Sequence, residues 1–472
     1  MKEKSNDGGS GAKDQKDLKK PVWDALKETD RREMETLATE YRGFLSQAKT
    51  ERAVSDLLLE KVSQAGFVDL EAGSPVERGG WLRHHGKLLG LFMPGRDGPL
   101  GGFNLIVAHG DAPRLDLKPK CVYEDSGLGL LKSNLYGGLK KFQWLARPLA
   151  IWGFCAMKDG RHVDVRLGEG PDDPVLTITD ILPHLDRKVQ RDKRLSDAFP
   201  AERLNVLANS EPLAKGKGKG RVKDALLGIL SKRWGLAEED LISSELELVP
   251  AGPAREVGFD SSMIGGYGQD DRLSVFSSLK SLLAQKKPRR PIMLIIYDRE
   301  EIGSYGSTGA ESNFVMRLAA AALAASGLEP SWHNVQVVLA RSRAISADVE
   351  AAVDPTFKEV HDDLNSGWLG HGPCLVRYTG GAGKYGASEA RAEYMAQIRR
   401  IFDEAGVVWQ STLLGKQEEG GGGTVAHLLA YHGISIVDFG PPVLSMHSPF
   451  EICSKADLFM NVRAQKAFLA SS

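Results

Sequence analysis

Imidazole and carboxylate side chains follow several apolar stretches of this sequence, either directly or after a short loop. The residues in question are His109 and Asp111, Glu300 and Glu301, Asp348, and His447. Asp270 and Asp271 stand at the start of a predicted helix, after the Gly-rich turn 265–268. Histidine nitrogen and carboxylate oxygen, without a cluster of thiolates, suit zinc, cobalt or manganese. The pattern therefore indicates a metal centre.

The number of candidate ligands indicates how many metals such a centre would hold. Two histidines and three carboxylates exceed the three protein ligands of a mononuclear catalytic zinc site. They suit two metals about 3.5–4 Å apart that share one bridging carboxylate. A further glutamate beside a ligand glutamate could accept a proton from the activated water. An aspartate two residues beyond a strand-end histidine could fix the tautomer of that histidine.

The elements that must position these residues alternate between strands and helices after Pro250. The predicted helices are Arg272–Gln285, Phe314–Ala325, Glu389–Glu404 and one from near Lys455, and the predicted strands are Ile292–Tyr297, Val335–Ala340 and Ile434–Val437. Earlier in the chain, residues 21–65 have a helical pattern and Phe103–Ala108 resembles a buried central strand. We therefore predict an α/β fold with a mostly parallel central sheet sandwiched by helices. Ligands of such sheets bind beyond the carboxyl ends of the strands, where the polar residues fall.

The alternating pattern stops near residue 118 and resumes near 250. Between these points, turn residues and short predicted strands, such as Ile151–Met157, indicate an inserted β-rich domain at 118–247. Residues 21–117 and 248–472 would then form one catalytic domain. The charged, Gly-rich residues 1–20 are predicted to be a disordered tail. The Lys- and Gly-rich loop Ala214–Arg221 is interpreted as a flexible linker in preference to an anion-binding patch.

The overall composition argues against several classes of partner and location. The chain has 472 residues with 61 Lys and Arg, 62 Asp and Glu, and a formal net charge of -1. We therefore expect neither nucleic acid nor a membrane as partner. Four cysteines in a chain of this length indicate neither a disulfide framework nor a metal knuckle. No apolar run suits a spanning helix and the first residues do not resemble a secretory signal, so a cytoplasmic protein is expected.

Five short motifs, taken in order, resemble those of the aspartyl aminopeptidase family. They are His109-Gly-Asp111-Ala-Pro, Gln269-Asp270-Asp271-Arg272, Asp298-Arg-Glu300-Glu301-Ile-Gly, Ser346-Ala-Asp348 and Ser445-Met-His447-Ser-Pro-Phe-Glu451. The resemblance spans about Lys49 to Ala464. It implies a di-zinc exopeptidase that forms tetrahedral dodecamers, with an inserted domain used for dimerisation and other subunit contacts. Glu40–Gly66 lacks the Ser-Pro-Thr-Pro start of the aspartyl-specific members. The chain therefore looks closer to bacterial relatives whose preferred N-terminal residue is not necessarily acidic.

The resemblance also implies a role for each candidate residue. The metal ligands form two groups that share one carboxylate: His109 and Asp348 for one metal, Glu301 and His447 for the other, and Asp270 as the bridge between them. Glu300 would be the general base. Asp111 would be the partner that orients His109.

The sequence departs from the family pattern at three places. Asp271 stands where the family has Asn, which adds a negative charge beside the metals. Trp144-Leu-Ala146-Arg147 lacks the carboxylate of the family's Trp-x-Asp-Arg element. Gly421-Gly-Gly-Thr424 replaces a Cys-Gly-Ser-Thr stretch on the substrate side.

The roles of four other residues stay open. Arg377, Lys384 and Tyr385 lie in a Gly-rich stretch that either lines the pocket for the substrate's first side chain or forms a flexible turn. His184 is interpreted as a surface-loop residue in preference to one that reaches a neighbouring subunit's active site.

Together these observations predict a metal-dependent aminopeptidase that releases N-terminal residues from peptides. Its reaction would use water activated by two divalent metals, zinc or else cobalt or manganese, with Glu300 as base. We expect peptide substrates and a homo-oligomer, a dodecamer by the resemblance. A two-metal deacylase or carboxypeptidase is the nearest alternative, since it would use the same metal site. A non-catalytic shell or cargo-binding homologue is the alternative from another class.

Overall fold

The computed structural model of the protein describes residues 21–214 and 220–472. The predicted disordered tail, 1–20, lies outside the described residues, as do residues 215–219 of the predicted linker. No helix in the described part of the chain combines the length and apolar character that crossing a membrane requires.

The α-helices lie before residue 65 and after residue 194, and three of them are short. Their bounds are α1 (Val22–Ala25), α2 (Glu28–Gln47), α3 (Glu51–Gln64), α4 (Leu195–Ala198), α5 (Arg221–Trp234), α6 (Gln269–Leu283), α7 (Phe314–Ala325), α8 (Trp332–Ala340), α9 (Ala392–Glu404), α10 (Ala426–Ala430) and α11 (Lys455–Ala470).

The strands are mostly short and fall into three sheets. Their bounds are β1 (Phe67–Asp69), β2 (Gly79–His84), β3 (Leu88–Met93), β4 (Asn104–His109), β5 (Arg114–Asp125), β6 (Leu128–Tyr136), β7 (Leu149–Ala156), β8 (His162–Leu167), β9 (Thr177–Ile178), β10 (Asn205–Asn209), β11 (Ser244–Pro250), β12 (Arg255–Val257), β13 (Met263–Gly266), β14 (Ile292–Tyr297), β15 (Arg343–Ala347), β16 (Glu350–Ala351), β17 (Cys374–Val376), β18 (Gln410–Thr412), β19 (Ser435–Gly440), β20 (Pro442–Leu444) and β21 (Glu451–Ser454).

The largest sheet, sheet A, has the strand order β1-β2-β3-β14-β4-β15-β19-β17-β18. Its centre is parallel, because β4 pairs in parallel with both β14 and β15, and β15 pairs in parallel with β19. Antiparallel pairs join this centre to β3 and to β17. The predicted α/β fold with a mostly parallel central sheet is confirmed.

Helices cover both faces of sheet A because side chains alternate between the faces along each strand. Ile106 of β4 packs in a core with residues of α3, α6, α9 and α11. The next residue in β4, Val107, packs in a second core with residues of α7, α8 and α10. The central strands are thus buried on both sides, which explains their continuous apolar sequences.

Sheet B is antiparallel and lies between residues 114 and 250, with the order β8-β7-β11-β5-β6-β10-β9. Its strands have a core of their own that includes Trp144, Ile151 and Leu246. The sheet therefore extends a few residues beyond both ends of the predicted segment 118–247. The assignment of that segment as a separate domain stays a prediction.

The predicted strand Val335–Ala340 is wrong, since these residues lie in helix α8. Val335, Val338 and Leu339 are the buried residues of α8, and this i, i+3, i+4 spacing is helical. The hydroxyl of Ser331 accepts a hydrogen bond from the backbone N–H of Asn334 and caps the helix. The strand that precedes Asp348 is β15. A short apolar run does not distinguish a buried strand from a buried helix. The capping Ser331 is the sequence signal that favours the helix.

A small third sheet, sheet C, has the order β12-β13-β21-β20-β16 and was not predicted. Its strands have two to four residues each, too short to give a sequence pattern. Sheet C places Asp270 just after β13 and His447 between β20 and β21. It thereby brings two distant parts of the chain next to the carboxyl end of sheet A.

Candidate active site

Three candidate ligands come from strand ends of sheet A, and two come from segments that follow strands of sheet C. His109 is the last residue of β4, and a short helical turn at Glu300–Ile302 follows β14. Asp348 follows β15 directly. Since β14, β4 and β15 are parallel neighbours, the residues at their ends lie side by side.

One group of candidate ligands contains His109, Asp270 and Asp348. The imidazole Nε2 of His109 lies 3.2 Å from Oδ1 of Asp270 and 3.8 Å from Oδ1 of Asp348. His109 and Asp270 are buried. One ligand atom from each of the three residues lies within 4.8 Å of the other two. A single ion can therefore contact all three side chains.

A second group contains His447, Glu301 and, again, Asp270. The imidazole Nε2 of His447 lies 3.1 Å from Oδ2 of Asp270 and 3.4 Å from Oε1 of Glu301. The ligand atoms of this group also lie within 4.8 Å of one another. Asp270 thus presents one carboxylate oxygen to each histidine. All five predicted ligands converge on one place.

Both histidines have a partner on the ring nitrogen that faces away from the ligand groups. The Nδ1 atom of His109 lies 3.3 Å from Oδ1 of Asp111 and 3.2 Å from the Asp111 carbonyl oxygen. The Nδ1 atom of His447 lies 2.8 Å from the carbonyl oxygen of Gly138. These acceptors place the proton on Nδ1, which leaves the Nε2 lone pair for a metal. Neutral imidazole and carboxylate together form a donor set that suits zinc.

Asp111 connects three parts of the site. Its Oδ1 accepts a hydrogen bond from the backbone N–H of Glu300, and its Oδ2 accepts one from the backbone N–H of Glu301, both at 3.2 Å. The Tyr136 hydroxyl donates to Oδ2 at 2.9 Å. Asp111 therefore fixes the turn that carries both glutamates as well as the ring of His109.

Glu451 fixes the other side of the site. One carboxylate oxygen, Oε2, accepts hydrogen bonds from the backbone N–H groups of Gln269 and Asp270. The other oxygen, Oε1, accepts one from the backbone N–H of His447 at 2.7 Å. Glu451 thus holds the Asp270 and His447 loops together. It belongs to the last sequence motif, but the sequence alone indicated no role for it.

Comparison with known proteins assigns the chain to a family. Residues 44–469 match the sequence profile of the family described as aminopeptidase I zinc metalloprotease (M18). The chain belongs to the M18 aminopeptidase family.

The M18 relatives match along almost their whole length. A Thermotoga maritima protein described as a probable M18 family aminopeptidase 1 is 43% identical over 453 residues, which are 96% of this chain and 98% of that protein. The crystal structure of an M18 aminopeptidase from T. maritima has a TM-score of 0.92 at 43% identity and covers 96% of this chain and 99% of its own. Aminopeptidase I of Clostridium acetobutylicum has a TM-score of 0.89 at 36% identity, with coverage of 96% and 99%.

A more distant likeness is to a structure from Saccharomyces cerevisiae that is described as a dodecamer. It is 21% identical, has a TM-score of 0.72, and covers 91% of this chain and 95% of its own. At this identity the likeness shows the fold alone. Membership of M18 makes the chain a zinc metallo-aminopeptidase, which is a hydrolase. The resemblance drawn from the five motifs and the prediction of an aminopeptidase are confirmed.

The buried carboxylates of this M18 site have shifted proton affinities. Burial acts to raise the pKa of Asp270, but hydrogen bonds from His109 and His447 hold that pKa below its ordinary value. Burial raises the pKa of Glu300 to about 8, although the neighbouring His109 opposes the shift. In the metal-free chain, Glu300 therefore holds its proton more tightly than a free glutamate does.

Asp271, which is predicted to add a negative charge beside the metals, is buried next to His109. Its Oδ2 accepts a hydrogen bond from the backbone N–H of His109 at 3.4 Å. Burial, with a further contribution from Asp348, raises the pKa of Asp271 well above its ordinary value. The added negative charge beside the metals stays a prediction.

A cavity of about 380 Å³ opens at the two candidate ligand groups. Besides Glu300 and the candidate ligands other than His109, its wall includes residues for which the sequence indicated no role: Ser304, Glu350, Thr379, Leu414, His427 and Met446. Gly421, Gly422 and Gly423 also line it, which agrees with their predicted position on the substrate side. A cavity of about 680 Å³ between α3 and sheet B contains none of the candidate ligands.

The cavity at the ligand groups is lined by none of the four residues whose roles the sequence leaves open: Arg377, Lys384, Tyr385 and His184. Arg377 and Lys384 both pair with Glu389, with N–O distances of 3.0 Å. The side chain of Tyr385 is exposed, and His184 lies exposed in a surface loop. Thr379 is the residue of the Gly-rich stretch that reaches the cavity wall.

Proposed function

We propose that this M18 zinc aminopeptidase removes the N-terminal residue of a peptide at the two ligand groups that share Asp270. The observation that carries the proposal is the position of Asp270, whose two oxygens lie 3.2 and 3.1 Å from different histidines. A carboxylate between two imidazoles suits the bridging of two metal ions. His109 and Asp348 would hold one ion, and Glu301 and His447 the other.

Glu300 is the proton carrier of the proposed reaction. Two bound zinc ions would supply Lewis acidity and lower the pKa of water. The Glu300 carboxylate takes one proton from the water as the water oxygen bonds to the scissile carbonyl carbon. The carboxyl group then gives this proton to the leaving amine as the C–N bond breaks. Asp111 orients His109 and holds the backbone of Glu300 in place.

The substitution Glu300→Gln tests this role. Since glutamine keeps the shape of the side chain but cannot carry the proton, we expect hydrolysis of aminoacyl-anilides to fall by at least about 10². Zinc content, measured by mass spectrometry of the metal, should stay at the wild-type value. Glu329→Gln, an exposed position away from the site, is the matched control and should be fully active. Full activity of Glu300→Gln would remove Glu300 from this role.

We further propose that segment 118–247 is an oligomerisation domain and that the assembly is a dodecamer. Support comes from the motif resemblance and from several large apolar side chains that the single chain leaves exposed in this segment: Val175, Leu182, Leu185, Leu195, Ile229 and Ile242. Leu185 and Leu195 are 65% and 63% exposed. Burial between subunits would remove this apolar surface from water.

Sedimentation of the purified protein tests the assembly. The wild type should sediment as a dodecamer, and Leu185→Glu combined with Leu195→Glu should shift it to smaller species. Trp332→Glu, which alters an exposed apolar side chain of α8, is the control and should leave the mass unchanged. A wild-type monomer at micromolar concentration would overturn the proposal.

A further inference from the structure

Four consecutive glycines, Gly420–Gly423, form a segment that we call the glycine loop. Its last three residues line the cavity that also contains Glu300 and Asp270. Because glycine has no Cβ, such a run has great backbone freedom and loses much conformational entropy when it is ordered. A cavity wall of this kind keeps its shape only if contacts with other residues hold it.

The shortest contact that holds the glycine loop joins Thr424 to Asp438. Thr424 follows the loop directly, and its hydroxyl donates a hydrogen bond of 2.6 Å to Oδ1 of Asp438. Asp438 lies in β19 and is buried. Since side chains alternate along a strand, Asp438 lies on the same face as Ile436, which packs with α10. A buried carboxyl group needs a hydrogen-bond partner, and Thr424 supplies one at the start of α10.

Two further contacts hold the middle of the glycine loop. The carbonyl oxygen of Gly422 accepts a hydrogen bond of 2.7 Å from the backbone N–H of Gly380. A Cβ atom added at Gly421 would lie 2.9 Å from the Cα atom of Gly381. A side chain at position 421 would therefore push the two glycine-rich segments apart. Thr379, which precedes Gly380, lies in the same cavity wall.

The glycine loop lies on the substrate side of the site. Neither the loop nor Thr424 contributes an atom to the two ligand groups found in the described residues. A substrate whose scissile bond reaches Glu300 must occupy the cavity that the loop lines. The position of the loop therefore affects how the substrate fits, and leaves the ligand groups themselves unchanged.

We propose that Thr424 and Asp438 are positioning residues, which hold the glycine loop in the form that binds the substrate. The inference rests on the proposed aminopeptidase reaction and adds two residues that act on its substrate through the loop. Loss of one buried hydrogen bond shifts the equilibrium between held and released loop by about tenfold. Since the substrate binds the held form, its apparent affinity falls with the population of that form.

The substitution Thr424→Val tests the proposal, because valine keeps the shape of threonine but has no hydroxyl. For the aminoacyl-anilide that the wild type cleaves fastest, we expect KM to rise by about three- to tenfold and kcat to change by less than about twofold. Zinc content should stay at the wild-type value. Thr36→Val, which removes an exposed hydroxyl of α2 that donates to the Arg32 carbonyl oxygen, is the matched control and should keep the wild-type KM.

Two further variants separate positioning from a general loss of stability. Thr424→Ser keeps the hydroxyl and should keep the wild-type KM. Gly421→Ala should raise KM as Thr424→Val does, because it displaces the loop while Asp438 keeps its partner. Gly43→Ala, where the added methyl group meets open space in α2, is its control. An unchanged KM in Thr424→Val, or a loss of zinc from it, would overturn the proposal.

Hydrogen exchange measures the hold on the loop without any substrate. The amide of Gly380, which donates to Gly422, should exchange about tenfold faster in Thr424→Val than in the wild type, as measured by mass spectrometry of a peptide that contains it. Equal exchange rates would overturn the proposal. A zinc-loaded wild type that cleaves no aminoacyl-anilide would contradict the proposed function instead, and the exchange rates would still test the hold on the loop.

Discussion

The hydroxyl group of Tyr136 donates a 2.9 Å hydrogen bond to Asp111, the residue that also faces Nδ1 of His109. Tyr136 ends strand β6 of sheet B, whereas Asp111 follows β4 of sheet A. Two residues further along, Gly138 accepts the Nδ1–H of His447. Both candidate metal-binding histidines are therefore oriented in part by residues 136–138, which come from the segment predicted to be an insertion.

Removal of the Tyr136 hydroxyl should weaken the metal centre without unfolding the chain. Loss of a partner that orients a metal ligand lowers metal affinity by about ten- to 100-fold, and we expect Tyr136→Phe to lie at the lower end because Asp111 keeps its two backbone donors. Competition with a chromophoric chelator measures this affinity. Tyr123→Phe in β5 is the control, since its hydroxyl makes no hydrogen bond in the described residues. Unchanged zinc affinity in Tyr136→Phe would show that the hydrogen bond from Tyr136 is not required for Asp111 to orient His109.

Two substitutions distinguish a shared ligand from an unshared one. Because Asp270 belongs to both ligand groups, Asp270→Asn should lower the zinc content at both positions. Because His447 belongs to one group, His447→Ala should leave the other metal in place. The expected zinc content, by mass spectrometry of dialysed protein, is about two ions per chain for the wild type, about one for His447→Ala and below one for Asp270→Asn. Equal loss in both variants would contradict the bridging role of Asp270.

The sequence indicated which side chains converge because most of them stand at strand ends or beside a glycine-rich turn. His109 and Glu301 follow long apolar runs, whose strand character and parallel pairing determine where the next residue lies. Sequence analysis could not predict the contacts of Gly138 or Tyr136, because these depend on how sheet B packs against sheet A.

Zinc binding should release protons and strengthen as the pH rises. Burial acts to lower the pKa of His447, but Asp270 and Glu301 raise it to about 10 in the metal-free chain. Zinc needs the Nε2 lone pair, so the metal must displace the proton below this pH. Calorimetry in buffers of different ionisation enthalpy should detect at least one proton released per chain. His427→Gln, at a cavity residue outside both ligand groups, should release the same number, and affinity independent of pH would contradict the assignment of His447.

A buried ion network under the site offers a test of stability that is separate from metal binding. The Arg114 guanidinium lies 3.0 Å from Glu247 and 3.3 Å from Glu51, and it stacks on the ring of Tyr136 at 3.8 Å. Arg114, Glu51 and Glu247 are all buried. Removal of one partner from such a network leaves an uncompensated buried charge, which costs about 3–5 kcal/mol.

Arg114→Met should therefore lower the free energy of unfolding by about 3–5 kcal/mol in urea denaturation near neutral pH. Arg32→Met, which breaks the exposed pair with Glu28, should cost less than about 1 kcal/mol.

Burial already raises the pKa of Glu247 well above its ordinary value despite the opposing charge of Arg114, and loss of that charge would raise it further. A carboxyl whose pKa is raised on folding stabilises the folded chain in its protonated form, so this stability is lost as the pH rises. The penalty of Arg114→Met should consequently shrink as the pH falls, and a penalty that grows on acidification would show that Arg114 does not stabilise these carboxylates.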